Sequence, residues 1–150
     1  MKLKNHTDID TELVRQIIRA VCPSGISRFD VRVSNFNGRG CRGRAYHKGS
    51  GYHATADQFV VVSIAPTEEK ARYISKGGKG YLPSVYGSRL EALVFVLAHE
   101  LRHLWQGKVK KGWRVWGAKG QFSERDADAY GLRMLRKYRR GELFESPAPK

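Results

Sequence analysis

Apolar residues recur along this chain with two different periods, and those periods predict its elements. Ile9, Leu13, Ile17 and Val21 fall every fourth residue, with Val14 and Ile18 beside them, which predicts a helix over 9–21. Thr7, Asp8 and Asp10 offer capping oxygens at its start, and Cys22-Pro23-Ser24-Gly25 ends it. Phe29 to Val33 alternates with period two and reads as a strand, Asn37-Gly38 as a turn, and Arg44 to His47 as a second strand. Phe59 to Ile64 is the strongest strand signal, closed by Pro66, while 67–74 fits neither period and Lys76 to Gly80 reads as a loop.

Two long helical patterns follow. The first covers 89–106, where Ser88 and Glu91 fit a capping box. Its Leu90, Leu93, Leu97, Leu101 and Leu104 form one stripe, and Val94, Phe95, Val96 and Trp105 extend the apolar surface almost all round. Such a helix is central and buried. The second covers 124–140, with Ser123 as N-cap and Gly141 just past its end. Between them, Trp113 and Trp116 are expected to anchor an irregular segment on the core. Helix, strands and then helices predict an α+β domain spanning residues 1–150, with 142–150 as a flexible tail.

Composition narrows the class. Hydrophobic residues make up 41% and charged residues 28%, which suits a folded core. No apolar run is long enough to span a membrane, and no apolar h-region follows the first lysines. Cys22 and Cys41 are read as reduced thiols of a cytoplasmic protein. Lys and Arg number 28 against 14 Asp and Glu, a net charge of +14, which makes an anionic partner such as nucleic acid worth testing.

The buried first helix carries His99-Glu100-Leu101-Arg102-His103. At about 100° per residue, the two histidines stand about 40° apart on one face, so both imidazoles can reach one metal ion. Glu100 lies beside that position, where a general base for a water belongs. A catalytic zinc takes three protein ligands, and the second helix offers Glu124 as a third. Asp128, four residues on, can orient a ligand histidine through its other ring N–H. Ala127 and Gly131 are small enough to let the two helices approach closely.

HExxH followed one helix later by Glu124-x-x-Ala127-Asp128 resembles the gluzincin zinc metallopeptidases over about a third of the chain, roughly Ser88 to Tyr138. The resemblance implies a minimal zincin-like domain, with a small mixed sheet packed on the HExxH helix. It implies His99, His103 and Glu124 as Zn²⁺ ligands, Glu100 as catalytic base and Asp128 behind a histidine. It implies a zinc-dependent endopeptidase that hydrolyses protein or peptide substrates with a metal-activated water, the substrate lying extended along an edge strand. Phe59 to Ile64 is the expected strand near that cleft. Tyr130, Arg125, His47 and His53 are candidates for the oxyanion donor such enzymes carry, although exposed loop positions are the plainer reading of His47 and His53. SprT-like proteases are a more distant likeness, because no histidine follows His103.

An alternative is a catalytically weak or inactive zinc domain that binds nucleic acid through its basic surface. Gly38 to Gly43 matches GxGxxG but lacks the helix a dinucleotide site needs, and reads as a glycine-rich hairpin. Its Arg39, Arg42 and Arg44, with Lys48, Tyr46 and Tyr52, could contact phosphates and bases. Arg133, Arg136, Lys137 and Arg140 form a second basic group, on the side of the last helix away from Glu124. Lys108, Lys110, Lys111, Arg114 and Lys119 form a basic run between the helices.

Overall fold

The alternation of β-branched residues builds a four-stranded sheet, with its inner face turned to the HExxH helix. The computed structural model describes residues 1–47, 58–77, 82–108 and 121–144. In chain order the elements are β1 (Leu3–Asn5), α1 (Thr11–Val21), β2 (Asp30–Asn35), β3 (Cys41–Tyr46), β4 (Phe59–Ile64), α2 (Glu68–Ala71), β5 (Tyr73–Ser75), β6 (Ser84–Tyr86), α3 (Arg89–Lys108) and α4 (Gln121–Arg139). The fold is therefore mixed α+β with a small mixed sheet. The sheet runs β1-β2-β4-β3, parallel except for β3, which pairs antiparallel with β4; β5 and β6 form a separate antiparallel pair.

Val31 and Val33 on β2 and Val60, Val62 and Ile64 on β4 are buried, as the period-two pattern demands, and they share one core with α1, α3 and the second half of α4. Every residue of α3 from Ala92 to Leu101 is buried. This helix lies between β3 and β4 on one side and α4 on the other, with α1 also against it. Its N-terminus is tied to the sheet by Arg89, whose guanidinium donates to Asp8 (2.8 Å), Asn35 (3.2 Å) and the Ala65 carbonyl (3.2 Å).

Several expectations are corrected. The first helix begins at Thr11, because Asp10 Oδ2 accepts from the Leu13 amide at 3.0 Å and caps it there. The glycine-rich hairpin does not form: β4 inserts between β2 and β3, so the 36–40 turn connects strands that are not neighbours. Gly40, at φ +69°, donates to the Lys70 carbonyl and accepts from Ala65 within that turn. The ambiguous stretch after Pro66 divides into α2, capped by Thr67, and β5. Ser123 is not an N-cap, since the last helix starts two residues earlier.

The tail is docked over its described part. Gly141 takes φ +72°, the Glu142 amide returns to the Lys137 carbonyl, and Leu143 is buried. His53, Tyr52, Lys48, Trp113, Trp116, Lys110, Lys111, Arg114, Lys119 and the last six positions lie outside the described residues. No helix among the described residues is long and apolar enough to cross a membrane. Cys22 and Cys41 are free thiols.

Candidate metal centre

One turn of α3 separates His99 from His103, and the two rings meet edge to face with their Nε2 atoms 3.1 Å apart. Glu124 on α4 faces both: Oε2 lies 3.1 Å from His99 Nε2 and Oε1 lies 3.2 Å from His103 Nε2. Four-coordinate zinc with bonds of about 2.0–2.1 Å separates neighbouring ligand atoms by about 3.3–3.4 Å. The three contacts are close to that spacing, with each nitrogen facing a different oxygen of the Glu124 carboxylate. The chain brings two imidazole nitrogens and a carboxylate together across two helices, a donor set that suits zinc.

α4 reaches this close because it is thin where it crosses. Ala127 is fully buried, and a Cβ on Gly131 would stand 3.0 Å from the Phe95 ring and 3.2 Å from the Phe95 carbonyl. The small residues expected to permit close approach are at the contact. The start of α3 is fixed by Ser88, whose hydroxyl accepts from the Glu91 amide at 3.1 Å. The Glu91 carboxylate reaches the Gly87 amide (3.0 Å) and Arg139 of α4 (2.6 Å), so this one residue also fastens the far end of the helix pair.

The outward nitrogen of each histidine is held by a buried polar group. Asp128, 3% exposed, places Oδ1 2.7 Å from His99 Nδ1, an ion-pair contact lying off the ring N–H direction. Its Oδ2 accepts from the Leu82 amide at 2.8 Å. Gln106 does the same for His103, with Oε1 2.9 Å from Nδ1. That amide is itself locked: Ser123 donates to Oε1 at 2.7 Å, and Nε2 donates to the Ser123 carbonyl (2.8 Å) and Asp126 (3.0 Å). Asp126 in turn takes a fork of hydrogen bonds from Arg102, at 2.7 and 3.1 Å. At His103 the Gln106 acceptor favours the tautomer that turns the Nε2 lone pair toward Glu124.

The charge of the Glu124 carboxylate and of Asp128 acts directly on His99. Burial lowers the proton affinity of His99, yet Asp128 and Glu124 outweigh it and raise its pKa to about 10. Burial works the other way on Glu124, whose two histidine partners hold it well below the usual carboxylate range. Glu100 completes the group: His99, Glu100 and His103 each bring a ligand atom within 4.8 Å of the others, and together could hold a metal ion. Glu100 Oε2 nevertheless stands 4.0 Å from His99 Nε2, outside the tight triangle. It is 6% exposed, and burial raises its pKa against the pull of the two histidines and of Arg44.

Above Glu100 lies Gly43 of β3, where a Cβ would stand 2.8 Å from Glu100 Cγ and 3.0 Å from Oε2. The edge strand over the site is thus β3, antiparallel to its neighbour. Phe59–Ile64, the strand expected near the cleft, lies one strand inward.

The other candidates divide. Tyr130 is buried and its hydroxyl donates to the Val21 carbonyl; Arg125 is exposed. His47 is not an exposed loop residue. It is half-buried against Gly107, one turn beyond His103, and burial followed by the charge of His103 lowers its pKa. Arg39, Arg42 and Arg44 are exposed at β3 and the turn before it, whereas Arg133, Arg136 and Lys137 are exposed on α4 and Arg140 just past its end. α3 separates the two groups, so they do not make one surface. Arg140 is also paired with Glu142 at 2.9 Å.

Gln106, Ser123 and Gly43 were not among the expected site residues. Gln106 could have been found from its spacing, three residues after His103 on the same helix face. Gly43 carried no such signal, because its role depends on which strand crosses α3. No family model, characterised protein or solved structure matches this chain.

Proposed function

We propose that this chain is a zinc-dependent endopeptidase of minimal zincin-like form, with His99, His103 and Glu124 as the metal ligands. The reading is carried by the 3.1–3.2 Å triangle of two Nε2 atoms and a carboxylate, beside a buried glutamate that stays out of it. A bound zinc would supply Lewis acidity there, bringing the pKa of a water toward about 7 and polarising a carbonyl.

The chain's own residues do the rest. Glu100, buried and with its proton affinity raised, accepts the proton of the attacking water and returns it to the leaving amine. Asp128 and Gln106 hold the two imidazoles in one orientation. β3, at the edge of the described sheet above Glu100, is the strand on which an extended peptide would add.

The test couples metal content to cleavage. The wild-type chain is expected to take up one equivalent of zinc, and His99→Ala and Glu124→Ala to lose it. Casein cleavage should stop with a chelator and in Glu100→Gln, which keeps its zinc. A Glu100→Gln variant that cleaves as fast as wild type, or a wild-type chain that takes up no zinc, overturns the reading.

A further inference from the structure

We propose that the outer face of the four-stranded sheet is a docking surface for the sugar–phosphate backbone of a nucleic acid. Side chains alternate along each strand, so the residues not packed toward α3 share this face. The register sets Lys4, Arg32, Val61 and Arg44 in one row across all four strands. Ser34, Ser63 and Arg42 form the parallel row two residues along. Adjacent strands are about 4.8 Å apart, so the first row spans about 14 Å and carries three cations.

These cations are available. Lys4, Arg42 and Arg44 are exposed and Arg32 is half-buried. Among the described residues none of the four forms an ion pair, unlike Arg15, Arg89, Arg102, Arg139 and Arg140. Two of them are held over rings, Arg42 at 4.6 Å from the Phe36 centroid and Arg32 at 5.6 Å from that of Phe59. A guanidinium stacked on a ring is preorganised, and its N–H edge stays free for phosphate oxygens. Asp30, the acidic residue sharing the face, accepts from the Lys2 amide at 3.0 Å.

The occupant follows from the kind of surface. A peptide is recognised by a free strand edge or by side-chain pockets, and the face of a sheet supplies no free edge. Separated cations that form no salt bridge among the described residues match a polymer with a fixed charge on every unit, and the chain's net charge of +14 adds long-range attraction. α3 and its histidines lie behind the sheet, so a nucleic acid bound on the outer face leaves the metal centre open.

The experiment is fluorescence anisotropy of the full chain with a labelled single strand of about 20 nucleotides, titrated at several salt concentrations. The combined variant Lys4→Ala/Arg32→Gln/Arg42→Gln/Arg44→Gln should weaken binding about tenfold or more, and the salt slope should fall by about 0.7 for each phosphate contact removed. Arg133→Gln/Arg136→Gln/Lys137→Gln on α4 should bind within twofold of wild type. If the combined variant does not fold, the single changes Lys4→Ala and Arg42→Gln must each weaken binding. The proposal is overturned if wild type binds no oligonucleotide at low salt, or if the sheet variants bind like wild type. It is also overturned if the α4 variant loses as much, or if polyglutamate competes as well as the oligonucleotide, which would make the partner an acidic peptide.

Discussion

Gly43 and Glu100 touch across the gap between β3 and α3: a Cβ at Gly43 would lie 2.8 Å from Glu100 Cγ, 3.0 Å from Oε2 and 3.1 Å from the Val61 carbonyl. The strand carries no side chain at the one point where the buried glutamate needs room. A larger residue must push Glu100 aside, since the Val61 backbone on the other side is fixed in the sheet ladder. Gly43→Val is therefore expected to cut kcat/KM on a quenched peptide by on the order of 10²-fold, the scale of an ångström misplacement in a reacting group. Zinc stoichiometry should stay at the wild-type value. Unchanged cleavage in this variant would mean that β3 does not set the position of Glu100.

Gln106 stands to His103 as Asp128 stands to His99, and it is neutral and almost wholly buried. Gln106→Leu removes the nearer acceptor at His103 Nδ1, leaving the Ser123 hydroxyl at 3.3 Å, and takes the Gln106 amide away from the Ser123 carbonyl. Zinc affinity, read by competition with a chelator of known strength, should fall about 10–100-fold. Stability to urea should drop by about 1–3 kcal/mol, the usual cost of stranding a buried polar group. Loss of stability with zinc affinity intact would reduce Gln106 to a structural bridge between the helices.

The helix pair was legible because its chemistry and its burial share one period. His99 and His103 were placed by the turn of a helix, and the all-round apolar pattern of 89–106 matched the burial of Ala92 to Leu101. Glu124 and Asp128 followed from the same rule on α4. The sheet was less legible. Phe59–Ile64 was found to the residue, but its neighbours depend on pairing between distant segments, which local alternation does not encode. The expected hairpin failed for that reason: β2 and β3 are close in sequence, yet both prefer the apolar β4 as partner. The three-residue strands β1, β5 and β6 were missed because so short a run shows no period.

Tyr130 separates a structural hydroxyl from a catalytic one. It donates to the carbonyl of Val21, the last residue of α1, and its ring lies 5.2 Å from the guanidinium carbons of Arg102 and Arg133. A helix C-terminus leaves its final carbonyls without helical partners, so this bond ties α1 to α4 at a point water does not easily reach. Tyr130→Phe should lower the urea midpoint, at unchanged slope, by an amount equivalent to about 1–3 kcal/mol. Zinc uptake and kcat should remain at wild-type values. A loss of kcat without loss of stability would instead put this hydroxyl at the reacting carbonyl.

Cys22 and Cys41 are expected to make the stability of the fold fall at alkaline pH. Burial pushes the Cys22 thiol up to about 11 and the Cys41 thiol up to about 12. In the unfolded chain both ionise near the ordinary value of about 8.5. Between that pH and the folded values the unfolded state has shed protons the native state still holds, so stability falls as pH rises through this window. Below about 8.5 both states carry the proton and these thiols contribute no slope. Urea midpoints measured from pH 7 to 10 should therefore decline above pH 8.5 in wild type, and decline less in Cys22→Ala/Cys41→Ala. The same burial keeps the reactive thiolate scarce, so labelling by a disulfide reagent at pH 8 should be slow in the native chain and rapid in urea. Rapid labelling of the native chain, or a slope identical in the double variant, would show that neither thiol is shielded as its packing requires.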